Sequence, residues 1–216
     1  CIRDRAISAF YYVLGVAVAR IKTGQAKVLD EKELKQIIRV TETGAHASRN
    51  VAIITLSNYL GLRSKELASL SVKDITENGV QIKKTLRLYS TMTKGGIHRD
   101  LPLENKTVSK ALQEYLNERR SQDGGTFNLE APLFRSQKGT RFSANSMVQL
   151  IGKIYTTAGF PDATSHSGRR SLITKLAYDG IDINSIRQIA GHASITTTQR
   201  YINDSPIVIA NILKAI

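Results

Sequence analysis

The chain has 216 residues, of which 41% are hydrophobic and 23% are charged, so it can bury the core of one ordinary domain and lacks the composition of a disordered protein. Lys and Arg number 31 against 18 Asp and Glu, which gives a formal net charge of +13. This charge favours a polyanionic partner, most commonly nucleic acid, with an anionic membrane surface as the alternative. Charge alone does not separate an enzyme from a ribosomal-type binding protein.

The single cysteine, Cys1, excludes an intrachain disulfide and a cysteine-based metal site. This cysteine usage fits a reducing compartment, and we expect the protein to be cytoplasmic. Because the chain starts with Cys rather than Met, we also expect it to be part of a longer gene product.

Residues 5–20 are predicted to form a helix, and residues 23–25 a linker. Within that helix, Ile7–Ala19 is mostly apolar and follows two arginines, so it imitates a secretory signal. A segment of this length is too short to span a bilayer as a helix. We therefore favour a helix that packs on the domain.

Two longer helices and a short one are predicted next. Asp30 is placed as the N-cap of a helix that ends near residue 41, and Ser48 as the N-cap of a second helix that ends at Gly61. Arg63 then falls at the junction with a short helix that ends near Leu70.

The middle of the chain is predicted to form strands. Residues 74–77 and 80–89 flank Asn78-Gly79, a strong signal for a two-residue hairpin turn. A glycine-rich turn that contains Lys94 then leads into residues 98–103. The prediction is a three-stranded antiparallel sheet with Lys94 at a turn.

Helices return in the rest of the chain, separated by glycines and by a surface loop at 121–130. They are predicted over 106–119, 143–157, 167–179, 182–190 and from a Ser194 cap through Tyr201. The last ten residues, Ile207–Ile216, are apolar enough to need a partner surface. The fold class expected is mainly α with a small three-stranded antiparallel β-sheet.

The C-terminal third contains residue types suited to a phosphodiester. His166 and Arg169 lie three residues apart, His192 follows Gly191, and Tyr201 comes nine residues after His192. Arginine binds phosphate oxygens in bidentate fashion, histidine transfers protons, and tyrosine can act as a nucleophile.

These positions resemble the catalytic domain of the tyrosine recombinase (integrase) family. Residues 191–201 match its Gly-His-x-x-x-x-x-Thr-x-x-Tyr pattern, and the resemblance extends from about residue 29 to 201 in the order Arg, Lys, His-x-x-Arg, His, Tyr. Three packing positions depart from the family pattern: the chain has Leu60 where the family favours Thr, and Gly168 and Ala190 where it favours Leu. The implied fold is that of the DNA breaking-rejoining enzymes.

The resemblance implies that Tyr201 is the nucleophile and that Arg63 and Arg169 clamp the attacked phosphate. Preorganised cations of this kind are usually the largest catalytic contribution to such reactions. Glu66 is expected to be a structural partner of nearby cations rather than a catalytic group.

The same resemblance implies that His192 hydrogen-bonds the scissile phosphate and that His166 assists proton transfer from the nucleophile. Lys94 resembles the hairpin lysine that protonates the departing 5′ oxygen, with Arg99 or Lys84 as its stand-ins.

Basic residues outside this set are candidates for contacts with the DNA backbone: Lys138, Arg141 and Arg170. His46 and His98 match no motif and are expected to be ordinary surface residues. No metal and no cofactor are expected, because the chain has neither clustered carboxylates nor a glycine-rich nucleotide loop.

The function that the resemblance implies is site-specific DNA recombination through a 3′-phosphotyrosine. A type IB-like topoisomerase and a non-catalytic DNA-binding protein of the same fold stay open as alternatives. The implied partners are double-stranded recombination sites, a homotetramer on DNA, and accessory DNA-bending or directionality proteins, with no membrane and a nucleoid-associated location. We divide the chain into an N-terminal helix and linker (1–28), a catalytic domain (29–203) and an apolar segment (204–216) that docks on a neighbouring protomer or folds back on its own domain.

Overall fold

The computed structural model describes residues 25–93, 96, 98–125 and 128–203. The predictions for residues 5–20, Lys94 and 207–216 lie outside these residues. In the described part, the elements follow in this order: α1 (Glu31–Glu42), α2 (Ala47–Tyr59), α3 (Ser64–Ser69), α4 (Val72–Ile75), β1 (Thr85–Leu88), β2 (Arg99–Pro102), α5 (Lys106–Gln122), α6 (Ala144–Thr157), α7 (Ser167–Tyr178), α8 (Ile183–Ala190) and α9 (Ile195–Asn203). None of the described helices is both long and apolar enough to cross a membrane.

Side-chain caps start several helices where the sequence predicts them. The Asp30 carboxylate accepts from the backbone N–H of Glu33, whose own carboxylate accepts from the backbone N–H of Asp30. This capping box satisfies two amide groups that the first turn of α1 leaves without helical partners. At α9, the Ser194 hydroxyl accepts from the backbone N–H of Thr196 at 3.2 Å. The predicted caps Asp30 and Ser194 are therefore confirmed.

The predicted cap of α2 is wrong. The helix begins at Ala47, and its N-cap is His46, which adopts the left-handed conformation with φ of 57°. Because the chain enters the helix earlier than predicted, Ser48 lies inside the first turn and its buried hydroxyl has no hydrogen-bond partner among the described residues.

The sheet has two strands in the described part of the chain, not the predicted three. β1 and β2 pair antiparallel, with Thr85 opposite Pro102 and Leu88 opposite Arg99. Residues 72–75 form the short helix α4 instead of a strand, because the Asp74 carboxylate accepts from the backbone N–H of Ser71 and closes a helical turn. The predicted two-residue turn at Asn78-Gly79 is wrong: the chain reverses through residues 77–81, and Thr76 and Ile82 pair across this longer connection as an isolated bridge.

Helix α2 is the centre of the core. Every residue from Arg49 to Asn58 is buried, and α2 packs against α1, α5 and α7. Ile53, Ile54 and Leu56 are fully buried, and each such side chain stabilises the fold by about 1.5–3 kcal/mol. A helix buried on all sides holds its neighbours in fixed positions, and these neighbours include α7, which carries the histidine and arginine of interest.

A second, smaller cluster holds the C-terminal helices together. Ile173 of α7, Ile186 of α8 and Ala190 at the end of α8 are buried against each other, and Tyr201 of α9 packs on them. The tyrosine thus packs on the helix that carries Arg169 and on the helix that ends just before His192.

Helix α7 approaches α2 through Gly168. A Cβ at this position would lie 2.8 Å from Nδ2 of Asn58 and 2.8 Å from Oγ of Ser57. The contact explains one departure from the family pattern, because a leucine here would need a different spacing between α2 and α7.

We predict that Gly168→Ala lowers the free energy of unfolding by about 1–3 kcal/mol, since the added methyl group overpacks a buried contact. The matched control is Gly152→Ala in α6, where a Cβ meets nothing within 4 Å. That change should stabilise the protein by about 0.5–1 kcal/mol through helix propensity. Urea unfolding of both variants measures the difference; equal effects of the two changes would contradict the close contact.

Candidate active site

The site starts at the junction of α2 and α3. Arg63 is the N-cap residue of α3, and its backbone N–H donates to Oε2 of Glu66 at 2.8 Å. Its guanidinium donates through Nη1 to Oε1 of Glu66 at 2.9 Å and through Nη2 to the carbonyl of Gly191 at 3.1 Å. Arg63 is thereby fixed at both ends, with 18% of its side chain still exposed.

Glu66 is completely buried and joins two arginines. Besides Arg63, it binds the guanidinium of Arg99 in bidentate fashion, with N–O distances of 3.0 and 2.8 Å. Burial raises the pKa of Glu66, but the hydrogen bonds and charges of Arg99 and Arg63 outweigh it and leave the pKa below its usual value. The carboxylate is therefore ionised at neutral pH. The prediction that Glu66 pairs with nearby cations is confirmed.

Arg169 enters the same region from α7. Its guanidinium donates to the carbonyl of Gly61 at 2.7 Å and to the carbonyl of Ala190, and only 3% of the residue is exposed. Burial, together with the positive charges of Arg63 and Arg99, lowers the pKa of Arg169 to about 9. Arg169 thus keeps its positive charge at neutral pH.

Gly191 lies between two of these arginines, with its carbonyl bound to Arg63 and its Cα next to the Arg99 guanidinium. It ends α8 in the left-handed conformation, with φ of 59°. A Cβ at Gly191 would lie 2.4 Å from Nη1 of Arg99, so a larger residue could not occupy this position without displacing the buried ion pair. The glycine therefore permits both the turn and the close approach of Arg99.

His192 follows directly and is almost fully buried, with 5% exposure. Its Nδ1 lies 2.9 Å from Oγ1 of Thr198, and its ring stacks on that of Tyr201 with centroids 5.5 Å apart and planes at 20°. Burial, and then the charges of Arg169, Arg63 and Arg99, lower the pKa of His192 to about 3. The imidazole is therefore neutral at neutral pH in this structure.

Tyr201 is half-buried in α9. The His192 ring stacks on the ring of Tyr201, and the guanidinium of Arg170 lies 6.0 Å from the centroid of the tyrosine ring. Its charge interaction with Arg169 contributes to the pKa of that arginine. The structure thus brings Arg63, Arg169, His192 and Tyr201 together, as the sequence predicts.

The other two predicted catalytic residues are placed differently. His166 is the exposed N-cap residue of α7, one helical turn before Arg169. Lys94 lies outside the described residues. Of its stand-ins, Arg99 is buried in the ion pair with Glu66, and Lys84 is exposed just before β1.

The three residues predicted to contact the DNA backbone differ in exposure. Arg170 is 9% exposed and donates to the side chain of Gln25, so its guanidinium is held within the fold in the absence of DNA. The Arg141 guanidinium donates to the carbonyls of Ala68, Ser69 and Leu70, at the end of α3. These carbonyls have no helical partners, so this arginine caps a helix. Arg141 is nevertheless exposed, and Lys138 is exposed on a turn.

Two residues of the site were not predicted in their observed roles. Arg99 appears in the sequence analysis only as a substitute for Lys94, and Thr198 only as a position in the quoted motif. The Arg99 pairing leaves no local signal, since Glu66 is 33 residues away. The six-residue spacing between His192 and Thr198 could have indicated a contact, because it spans the turn into α9.

The arrangement is suited to binding a tetrahedral anion. Two of the three guanidinium groups pair with the single carboxylate of Glu66, and Arg169 donates only to backbone carbonyls. Positive charge is therefore in excess beside the His192–Tyr201 stack. Among the residues that the structure describes, no three or more His, Cys, Asp or Glu side chains form a group that could hold a metal ion.

Comparisons with known proteins agree with this geometry. The sequence model of the phage integrase family matches residues 27–206. Tyrosine recombinase XerC of Pelobacter propionicus is 33% identical over 162 residues, which are 74% of this chain and 49% of the relative. Tyrosine recombinase XerD of Oceanobacillus iheyensis is 29% identical over 175 residues, which are 81% of this chain and 56% of the relative. The chain thus spans about half the length of these curated relatives.

Solved structures resemble the fold as well. A crystal structure of XerA recombinase aligns with a TM-score of 0.70 and 26% identity, covering 98% of this chain and 72% of that one. A pre-cleavage complex of XerH site-specific recombinase with its difH substrate aligns with a TM-score of 0.62 and 25% identity, covering 81% of this chain and 49% of that one.

The lowered pKa of His192 predicts a stability that falls in mild acid. Below pH 6.5 the unfolded chain protonates this histidine, whereas the folded protein does so only near pH 3. One such proton costs up to about 1.4 kcal/mol per pH unit. Between pH 7 and 5, the free energy of unfolding of His192→Gln should therefore fall by about 2 kcal/mol less than that of the unaltered protein.

Urea unfolding at fixed salt and at pH 7, 6 and 5 measures this difference. The matched control, His98→Gln, makes the same change at an exposed histidine and shows whether the altered pH dependence is specific to His192. Identical pH profiles for His192→Gln and the unaltered protein would show that the imidazole is not held neutral.

Proposed function

Because the chain belongs to the phage integrase family, we propose that it is a site-specific DNA recombinase that cuts and rejoins DNA through a covalent 3′-phosphotyrosine, without metal or ATP. The observation that supports this most strongly is the convergence of Arg63, Arg169, His192 and Tyr201 from four separate segments of the chain.

In the proposed first step, the Tyr201 oxygen attacks the phosphorus of the scissile phosphodiester. A bond forms between this oxygen and phosphorus, and the bond from phosphorus to the 5′ oxygen breaks. The phenol proton leaves with the help of His166, and the 5′ oxygen leaves as a hydroxyl after taking a proton from Lys94. A 5′ hydroxyl from another duplex then reverses the step and releases Tyr201.

The arginines supply the stabilisation that this step needs. Negative charge grows on the non-bridging oxygens as the tyrosine attacks, and donors already fixed in place stabilise it without reorganising. Arg63 is held by Glu66 and Gly191, and Arg169 by two backbone carbonyls. Both guanidiniums are therefore positioned before DNA arrives, while each keeps further N–H groups to donate.

The rest of the proposed assembly follows from the family. The catalytic domain occupies residues 29–203, with an N-terminal region at 1–28 and a C-terminal segment at 204–216. The substrate is a pair of double-stranded recombination sites bound by a tetramer, with accessory DNA-bending or directionality proteins, and the enzyme acts in the cytoplasm at the nucleoid. Lys138 and Arg141 are the exposed candidates for DNA backbone contacts among the three predicted residues.

We predict that Tyr201→Phe abolishes covalent attachment to DNA, because the nucleophilic oxygen is lost while the ring still packs against His192. The measurement uses a pool of labelled, nicked duplexes with randomised arms, from which the cleaved fragment diffuses away and traps the covalent protein–DNA product on a denaturing gel.

Tyr178→Phe is the matched control, since this tyrosine is 54% exposed, and it should form the covalent product at the unaltered rate. Failure of the unaltered protein to form any covalent product would favour a DNA-binding protein without activity. Relaxed circles without recombinant junctions from a plasmid carrying the selected sites would favour a topoisomerase instead.

We also predict that Arg169→Ala lowers the cleavage rate by about 10²–10³-fold, the usual effect of removing one donor to a developing oxyanion. Affinity for the same duplexes, measured by fluorescence anisotropy, should stay within about threefold, because most binding comes from other phosphate contacts. Arg87→Ala, at an exposed arginine of β1, is the control and should leave the rate unchanged. A loss of affinity as large as the loss of rate would contradict the proposed role.

A further inference from the structure

Thr198 is in contact with the one histidine that the arginine cluster surrounds. Its residue is fully buried in α9, and Oγ1 lies 2.9 Å from Nδ1 of His192. The neighbouring Thr196 and Thr197 are exposed on the same helix. The Thr198 hydroxyl is therefore the buried one of these three, and its hydrogen-bond partner is the His192 imidazole.

The direction of this hydrogen bond follows from counting protons. A threonine hydroxyl has one proton to donate, and in a buried position that proton needs an acceptor. Within the described part of the chain, Nδ1 of His192 is the partner found for it. If Nδ1 carried a proton instead, the Thr198 proton would be left buried without an acceptor, at the cost of a lost hydrogen bond.

A neutral imidazole carries its proton on one nitrogen only. When Nδ1 accepts from Thr198, the proton must be on Nε2. The burial of His192 and the three arginines that surround it disfavour a second proton on the ring. The imidazole therefore stays neutral and has only one of its two nitrogens protonated.

We propose that Thr198 is a positioning residue that holds neutral His192 in the tautomer with its proton on Nε2, so that the imidazole donates to an oxygen of the scissile phosphate. This role rests on the proposed function, in which His192 binds that phosphate. The opposite tautomer would present a lone pair to a negatively charged oxygen and would repel it.

The tautomer itself is measured without DNA. In protein labelled with ¹⁵N at histidine, long-range ¹H–¹⁵N correlation at pH 7 distinguishes a protonated from an unprotonated ring nitrogen. The chain has four histidines, so the signals of His192 are assigned by their loss in His192→Gln. We expect Nε2 protonated and Nδ1 unprotonated in the unaltered protein. A proton on Nδ1 would overturn the proposal, whether or not the protein cleaves DNA.

Two variants then separate the hydroxyl from its packing. Thr198→Val keeps the shape and removes the donor, so it should shift His192 towards the Nδ1-protonated tautomer and slow covalent attachment by about tenfold or more, the factor that corresponds to one net hydrogen bond. Thr198→Ser restores the hydroxyl and should return both the tautomer and the rate to within about threefold. Thr197→Val, an exposed position on the same helix, is the control.

Each result decides the matter. A Thr198→Val protein that keeps the Nε2 proton overturns the proposal at any cleavage rate, and one that changes tautomer but cleaves within twofold of the unaltered rate overturns the positioning role. Absence of cleavage in the unaltered protein would refute the proposed function alone, because the nitrogen signals would still report whether Thr198 sets the tautomer.

Discussion

The site depends on one buried carboxylate. Glu66 has no exposure to solvent, and it accepts hydrogen bonds from Arg63 on its own helix and from Arg99 on β2. A buried carboxylate that lost one of these partners would be very costly, so the ion pairs fix the hairpin against α3. The Arg99 guanidinium also lies directly against Gly191, where a side chain would collide with it. The same ion pairs therefore also fix the end of α8. One charge thereby aligns three segments that are distant in sequence.

Burial and the arginines together determine the protonation state of His192. His192 would titrate near neutral pH in water, but burial beside three guanidiniums keeps it neutral. A neutral imidazole in a cationic cluster is a hydrogen-bond donor that adds no further repulsion between positive groups. The cluster therefore holds excess positive charge before any ligand binds, and the phosphodiester of the proposed reaction would offset it. A site that binds an anion explains why three arginines lie so close together despite their mutual repulsion.

Some helix caps were predictable from the residues themselves, whereas the gathering of Arg63, Arg169, His192 and Tyr201 was expected only through the resemblance to a family. The caps at Asp30 and Ser194 were predicted because a cap and its amide partners lie within three residues. The segment near Asp74 was predicted as a strand but forms a helical turn. It does so because the Asp74 carboxylate accepts from the backbone N–H of Ser71, which is also a cap within three residues. Arg169 and Arg170 are adjacent in sequence and of the same residue type. Arg169 nevertheless joins the arginine cluster, whereas Arg170 donates to Gln25 and lies near the ring of Tyr201. The partner of a buried arginine is chosen by packing, which periodicity does not describe.

The most direct measurement of the central claim is a crystal structure of the protein with tungstate, a tetrahedral oxyanion located by its anomalous scattering. The account predicts one tungstate bound within hydrogen-bonding distance of both Arg63 and Arg169 and beside His192, with the Glu66–Arg99 pair intact. Tungstate bound elsewhere, or bound here only after the Glu66 ion pairs have separated, would contradict a preformed phosphate site.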